Sequence, residues 1–408
     1  MQDWKTLLAT APFRALWVTL VCNNLGSWCV IAAIPILVAD RYGVGNELVL
    51  SLGLRLLPKI LLAPVSGGLL HRFEVRLVAG FALGGGAMLT AMLPWCDDFV
   101  LFQIMIAIIG MLDVFITPSL LSLRGPATPA GLEIAGNTLC SVADRLAKFI
   151  GPALGGLMVL AGFKLAFLGF ALVIFGAALT TTRLAAPAAS SDPRPFGLRA
   201  FWTVPAEVVA MMRADPVMLG LLIAAASYMI MLGGLRPFLF WANRDWFGGS
   251  DAAWTGLLAA QGVGALIGAL VSGLFGRPLQ RWMPAYGLTL LTGILEGALL
   301  LALLLTATMT QAMVVLALAS VPEILSTATW FTAMQQRINP RQQAVFFSLA
   351  IPLWDCGYAL GLLSAGLHAN GVLSLAGYWL LVTLGSTLPL LPLLLAYGRH
   401  QAHDIYRS

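Results

Sequence analysis

The chain reads as a succession of long apolar runs cut by short polar, glycine or proline punctuation. The runs lie near residues 14–38, 47–70, 77–95, 99–123, 134–160, 163–182, 216–241, 252–276, 284–307, 310–335, 343–368 and 371–397. A helix rising about 1.5 Å per residue needs roughly twenty residues to cross about 30 Å of hydrocarbon, and each run is about that long. The pattern predicts an all-α membrane protein with twelve transmembrane helices.

Composition agrees. Of 408 residues, 59% are hydrophobic and only 10% charged, against about 25% charged in a soluble domain. Forty-two glycines and twenty-two prolines are scattered through the apolar runs, as membrane helices tolerate. The net charge of +5 does not point to nucleic acid, because the four lysines, Lys5, Lys59, Lys148 and Lys164, form no tract. Cys22, Cys29, Cys140 and Cys356 sit within apolar runs and Cys96 near the end of one, without CxxC spacing. Neither a disulfide framework nor a metal site is indicated. The opening MQDWKTLLATAPFR lacks a charged region leading to a small-residue cleavage site, so the first run is expected to remain in the protein.

The Lys/Arg bias orients the spans. Fifteen basic residues flank the side that carries the termini, and three, Arg41, Lys164 and Arg244, flank the other. This places both termini in the cytoplasm. The longest polar stretch, Arg183 to Asp215, contains AAPAASSDPRP and joins spans six and seven as a flexible linker would. The expected organisation is a six-helix bundle over 1–185, a cytoplasmic linker over 186–212 and a second six-helix bundle over 213–408.

The halves repeat each other. Asp113 in IIGMLDVFIT corresponds to Glu323 in LASVPEILST, and Asp144, followed by GPALGG, to Asp355, followed by GYALGLLSAG. Pro35 aligns with Pro237, and VSGGLLHR closing span two with VSGLFGR closing span eight. The offset drifts slowly from 202 to 211, as duplication with small insertions leaves it.

Six plus six helices, cytoplasmic termini and a long central linker resemble the major facilitator superfamily. After span two, GGLLHRFEVR is similar to that family's loop motif, with Gly67, Leu69, Arg72 and Arg76 matching and His71 in place of the usual aspartate. Gly136 together with Gly151, Pro152, Gly155 and Gly156 resembles the span-five motif of drug and metabolite exporters, and LRLLPKILLAPVSG resembles the branch of macrolide and siderophore exporters. The resemblance implies two pseudo-symmetric bundles, with these motif residues in gating and packing. The residues themselves say that glycines at helical spacing let backbones approach, and that a proline among them lets the helix bend.

Ten ionisable residues lie inside the runs away from their ends: Arg55, Lys59, Asp113, Asp144, Arg145, Lys148, Arg236, Glu296, Glu323 and Asp355. Each costs at least about 2.5 kcal/mol at mid-bilayer unless it has a partner, a wet cavity or a function. The first half holds four cations against two acids and the second one cation against three acids. If they face one cavity, its basic wall suits an anionic or zwitterionic solute, with acids opposite able to exchange protons. Glu323 and Asp355 lead as proton-coupling groups, followed by Asp113 and Asp144, since burial disfavours a bare carboxylate. Glu323 follows Pro322, so local unwinding is expected beside it. Arg55, Lys59, Arg145, Lys148 and Arg236 are candidate solute contacts, with Asn23, Asn24, Trp28, Gln261, Trp330 and Trp354 as polar and aromatic walls. Structural alternatives stay open: an Asp144/Lys148 intrahelical pair, an Arg55 or Lys59 bridge to Asp113 or Asp144, and aromatic packing. Glu296 is expected to bond a neighbour or lie near the interface.

No Walker A loop, HExxH pair or GxSxG elbow occurs, so neither an ATP motor nor a membrane enzyme is indicated and no cofactor is called for. The expectation is a monomeric, proton-coupled exporter in a bacterial inner membrane, surrounded by lipid. Its direction rests on the exporter resemblance alone. Uptake of the same solute class, lipid flipping and a non-transporting receptor or scaffold remain as alternatives.

Overall fold

The computed structural model describes residues 2–129, 132–184, 209–210, 212–213, 215–337 and 340–405. They form helices α1 (Gln2–Ala9), α2 (Ala11–Arg41), α3 (Asn46–Arg72), α4 (Val75–Met92), α5 (Phe99–Ala127), α6 (Glu133–Leu160), α7 (Phe163–Thr181), α8 (Pro216–Asp245), α9 (Trp254–Trp282), α10 (Ala285–Leu301), α11 (Met309–Gln335), α12 (Pro340–Ala369), α13 (Leu375–Thr387) and α14 (Leu390–Ile405). No strand occurs among the described residues. Nine helices among them are long and apolar enough to cross a membrane, counting α13 and α14 as one span over 375–397. Leu388 and Pro389 interrupt that span, because proline has no N–H to continue the ladder. The long helices α3, α6 and α12 are not among these nine. Most of the linker expected over 186–212 lies outside the described residues.

Polar punctuation becomes helix starts. Asp98 accepts from the Leu101 N–H at 2.7 Å and opens α5, and Asp215 accepts from Val217 at 3.0 Å and opens α8. Thr308 and Gln311 form a reciprocal capping box on α11. Each cap satisfies an N–H that the first helical turn leaves without an intrahelical partner. Gly162, at φ +108°, makes the turn from α6 to α7 that a side chain would strain.

The chain divides into two compact units, residues 1–196 with 251–259 and residues 197–250 with 260–408. In the first, α2 packs on α6 and α7, α3 on α5, and α4 on α5 and α7. In the second, α8 packs on α12 and α13, and α10 on α11, α13 and α14. Glycines set the closest approaches. A Cβ added at Gly110 of α5 would run into the Arg55 carbonyl of α3, and one at Gly155 of α6 would lie 2.8 Å from the Cys29 carbonyl of α2. On α8 and α12 the contact is reciprocal, with Gly233 against the Tyr358 carbonyl and Gly361 against the Ile230 carbonyl. Dispersion between touching backbones replaces the hydrophobic drive that lipid removes.

Gly361 and Gly366 share α12, but a Cβ at Gly366 meets nothing within 4 Å. Gly361→Ala is expected to lower stability by about 1–3 kcal/mol through overpacking. Gly366→Ala is expected to be neutral or to stabilise by up to about 1 kcal/mol through helix propensity. Thermal unfolding of the two purified variants in detergent measures this, and equal losses would remove the close-approach argument.

Candidate functional site

In the first unit α2, α3, α4, α5 and α7 enclose a cavity of about 20 Å³, lined by Asn23, Ser27, Arg55, Thr90 and Asp113 among others. That is room for about one water. Arg55 donates from Nε at 3.1 Å and from Nη2 at 3.0 Å to the same carboxylate oxygen of Asp113. Both side chains are more than four-fifths buried, at 17% and 18% exposure. Gly110 makes the pair possible, because it lies one turn before Asp113 and lets the α3 backbone at Arg55 come close. The structure therefore realises the Arg55 to Asp113 bridge, one of the two roles open to Arg55.

The α2/α6 seam gathers a second polar set. Asn23 donates to Asn24 at 3.1 Å, and Asn24 donates to Asp144 at 3.4 Å. One turn on, the Lys148 ammonium stands 5.9 Å from the centre of the Trp28 ring, within cation–π range. Arg145 lies half-buried beside Asp144. Gly151 backs onto Trp28 and Gly155 onto Cys29, with Pro152 buried between them. Gly156 abuts Thr255, whose segment 251–259 clusters with this unit.

In the second unit α8, α10, α11, α13 and α14 line a cavity of about 30 Å³, with Ser227, Tyr228, Thr289, Glu296 and Ser326 on its walls. The Tyr228 hydroxyl donates to Glu323 at 2.9 Å, and Glu323 is 3% exposed. Arg236 donates to the Tyr358 hydroxyl at 3.1 Å and lies 5.9 Å from the centre of its ring. The guanidinium is thereby tied inward, between α8 and α12. Asp355 is half-buried one turn before Tyr358 on α12, and Gln261 is buried on α9. Trp330 packs in the core, its N–H donating to the Leu221 carbonyl at 2.7 Å and its ring lying edge-on to Trp354. Helix α11 runs unbroken through Pro322, so the unwinding expected beside Glu323 does not occur.

The two cavities occupy equivalent places in the repeat. Asn23, Ser27 and Val30 on α2 have the same spacing as Ala224, Tyr228 and Met231 on α8, and Leu83 and Thr90 on α4 match Thr289 and Glu296 on α10. Asp113 and Glu323 thus flank corresponding hollows. Asp144 and Asp355 do not correspond. Gly155 on the Cys29 carbonyl is the counterpart of Gly361 on the Ile230 carbonyl, which aligns GPALG with GYALG and sets Asp355 opposite Phe149. The two acids are displaced by five residues, about 7.5 Å of helix rise.

Of the loop motif, Arg76 pairs with Glu74 and donates to the Leu184 carbonyl at 3.5 Å, tying the start of α4 to the end of α7. Gly67 lies on α3, and the side chains of Lys59 and Arg72 lie outside those described. Sequence reasoning passed over Tyr228 and Tyr358, and it expected Glu296 to bond a neighbour or lie near the interface. Tyr228 and Arg236 lie eight residues apart and Asp355 and Tyr358 three apart. That near-helical spacing was the available signal.

A helical chain with repeated cavities around buried acids has the make-up of a membrane transporter. The sequence pattern of the Major Facilitator Superfamily matches residues 16–362, and the chain belongs to that family. The fold is similar to the crystal structure of the human organic anion transporter MFSD10, at 16% identity over 93% of this chain and 98% of that one, with a TM-score of 0.69. It is also similar to the peptide transporter POT in complex with sulfate, at 14% identity, 95% and 94% coverage and a TM-score of 0.76. The nucleoside transporter NupG matches at 14% identity, 94% and 98% coverage and a TM-score of 0.66. A search of the curated proteins finds no match.

Arg55→Gln removes one partner of a largely buried pair and is expected to cost about 3 kcal/mol. The double variant Arg55→Gln/Asp113→Asn is expected to regain most of it, since no uncompensated charge remains. A double-mutant cycle on unfolding in detergent checks the pair, and additive losses would count against it.

Proposed function

We propose that the protein is a proton-coupled exporter of a small anionic or zwitterionic organic solute, siderophore-, metallophore- or drug-like, working by alternating access. It has twelve transmembrane helices in two pseudo-symmetric bundles and sits as a monomer in a bacterial inner membrane with both termini cytoplasmic. The Lys/Arg asymmetry supports the orientation, and the span-two and span-five motifs support export.

The observation that carries the coupling is the different treatment of two equivalent acids. Asp113 meets a permanent cation, Arg55. Glu323 accepts from a neutral phenol and is 3% exposed. The first acid stands in an ion pair and the second beside a neutral hydrogen-bond donor. Glu323 is therefore the leading coupling group, with Asp355, Asp113 and Asp144 behind it. Arg145, Lys148 and Lys59 supply positive charge for the solute, with Asn23, Asn24 and Trp28 beside them. Arg55 supplies charge when its pair with Asp113 opens, while Arg236, Gln261 and Trp354 contribute from the second unit. Trp330 supports Trp354 from the core.

The test compares metabolites and metallophores accumulated by cells lacking the protein with those of cells carrying the wild type, Glu323→Gln or Asp355→Asn. Wild-type cells are expected to export the solute, and Glu323→Gln cells to retain it at least tenfold, the scale of a lost coupling group. Export unchanged in both variants would remove these acids from the mechanism, and accumulation that depends on the protein would reverse the direction.

A further inference from the structure

The hollow of the second unit has a chemistry that neither export nor the proton step uses. Among the described residues that line it, Glu296 is the one charged group, and hydroxyls make up most of the remaining polar wall. Several of those hydroxyls spend their protons elsewhere. Thr289 donates to the Ala285 carbonyl at 2.9 Å, Ser326 to the Thr289 carbonyl at 3.1 Å and Ser386 to the Thr383 carbonyl at 3.0 Å, while Tyr228 donates to Glu323. A hydroxyl that has given its proton away has only lone pairs left to offer. Ser227 and Thr387 are 4% and 8% exposed, and their hydroxyls bond to none of the described residues. Glycines bring these groups up to Glu296 on α10. A Cβ at Gly293, three residues before it, would lie 3.7 Å from the Ser326 hydroxyl, and one at Gly297, beside it, would overlap the Thr387 hydroxyl.

We propose that this hollow is a binding site for an alkali cation of sodium's size, with the Glu296 carboxylate and the hydroxyls of Ser227, Ser326 and Thr387 as its oxygen ligands. Hard cations take oxygen donors, and a cavity of about 30 Å³ exceeds the space that one water needs. The charge count selects the valence. One carboxylate neutralises one positive charge, whereas a divalent ion would leave a net charge in a low-dielectric interior. An anion finds no partner, because neither lysine nor arginine is among the described lining residues. The equivalent hollow of the first unit has the opposite character. Arg55 lines it, with Nη1 buried and without a hydrogen-bond partner among the described residues, so that wall offers N–H groups to an acceptor. A cation held by Glu296 ties α8, α10, α11 and α13 together inside the second unit. The inference goes beyond the exporter reading and depends on neither its cargo, its direction nor Glu323.

The experiment uses the full chain purified in detergent at fixed pH, with sodium chloride as the probe and equimolar choline chloride as the control for ionic strength. Sodium is expected to raise the unfolding temperature of the wild type by about 2–4 °C over choline. Radioactive sodium is expected to bind at about one ion per chain, since the stabilisation comes from binding to the folded state. Glu296→Gln, which keeps the shape and removes the charge, is expected to lose both the shift and the binding. Thr90→Val, at the matching position in the first unit, is expected to keep both. Equal unfolding temperatures in the two salts, a sodium shift that survives Glu296→Gln, or one that is lost in Thr90→Val overturns the inference. Export from cells is read separately, so the exporter reading stands or falls on its own. Should Glu296→Gln fail to yield folded protein, Ser326→Ala and Thr387→Val decide: both are expected to raise the half-saturating sodium concentration, and a value unchanged in both overturns the site.

Discussion

Ionised side chains inside an apolar helix bundle must be neutralised or hydrated where they stand, and much of this structure follows from that requirement. Arg55 and Asp113 meet it by pairing across α3 and α5. Lys148 places its ammonium over an indole ring, while Asp144 is exposed and accepts from Asn24 at 3.4 Å. Arg236 is satisfied by a phenol that both accepts its hydrogen bond and offers its ring. A lone carboxylate or ammonium facing acyl chains would cost several kcal/mol. Glycines allow these meetings, since Gly110 and Gly155 bring backbones close enough for short polar side chains to reach.

Duplication supplied the same hollow twice, and divergence changed its chemistry. In the first unit the hollow holds the Arg55–Asp113 ion pair. In the second, a tyrosine stands where the first has Ser27 and a glutamate where it has Thr90. One hollow is flanked by an ion pair, the other by a phenol and two carboxyl groups. A family whose members share a scaffold but carry different cargo can diverge in this way, because the helices keep their packing while a few side chains around a water-sized space are exchanged.

The helices were legible because run length and punctuation are local properties: the run read as 99–123 became Phe99–Ala127, and 216–241 became Pro216–Asp245. The match of Asp113 with Glu323 was legible too, since both acids interrupt long apolar runs. The match of Asp144 with Asp355 failed because it followed acid identity, whereas the glycine spacing GPALG and GYALG carried the backbone contact. Tyr228 and Tyr358 escaped notice for a different reason. Which neighbour a helix face will meet depends on tertiary packing, and a tyrosine in an apolar run looks like any other large side chain. Pro322 misled in the same spirit: proline removes one hydrogen bond, but α11 stays helical through it.

The reciprocal glycine contact between α8 and α12 bears on how this transporter can change over evolutionary time. Where Gly233 and Gly361 press main chain against main chain, no rotamer is left to yield to a bulkier neighbour. Adaptation to a new cargo has to proceed on the other faces of these two helices, and the seam between them acts as a fixed keel.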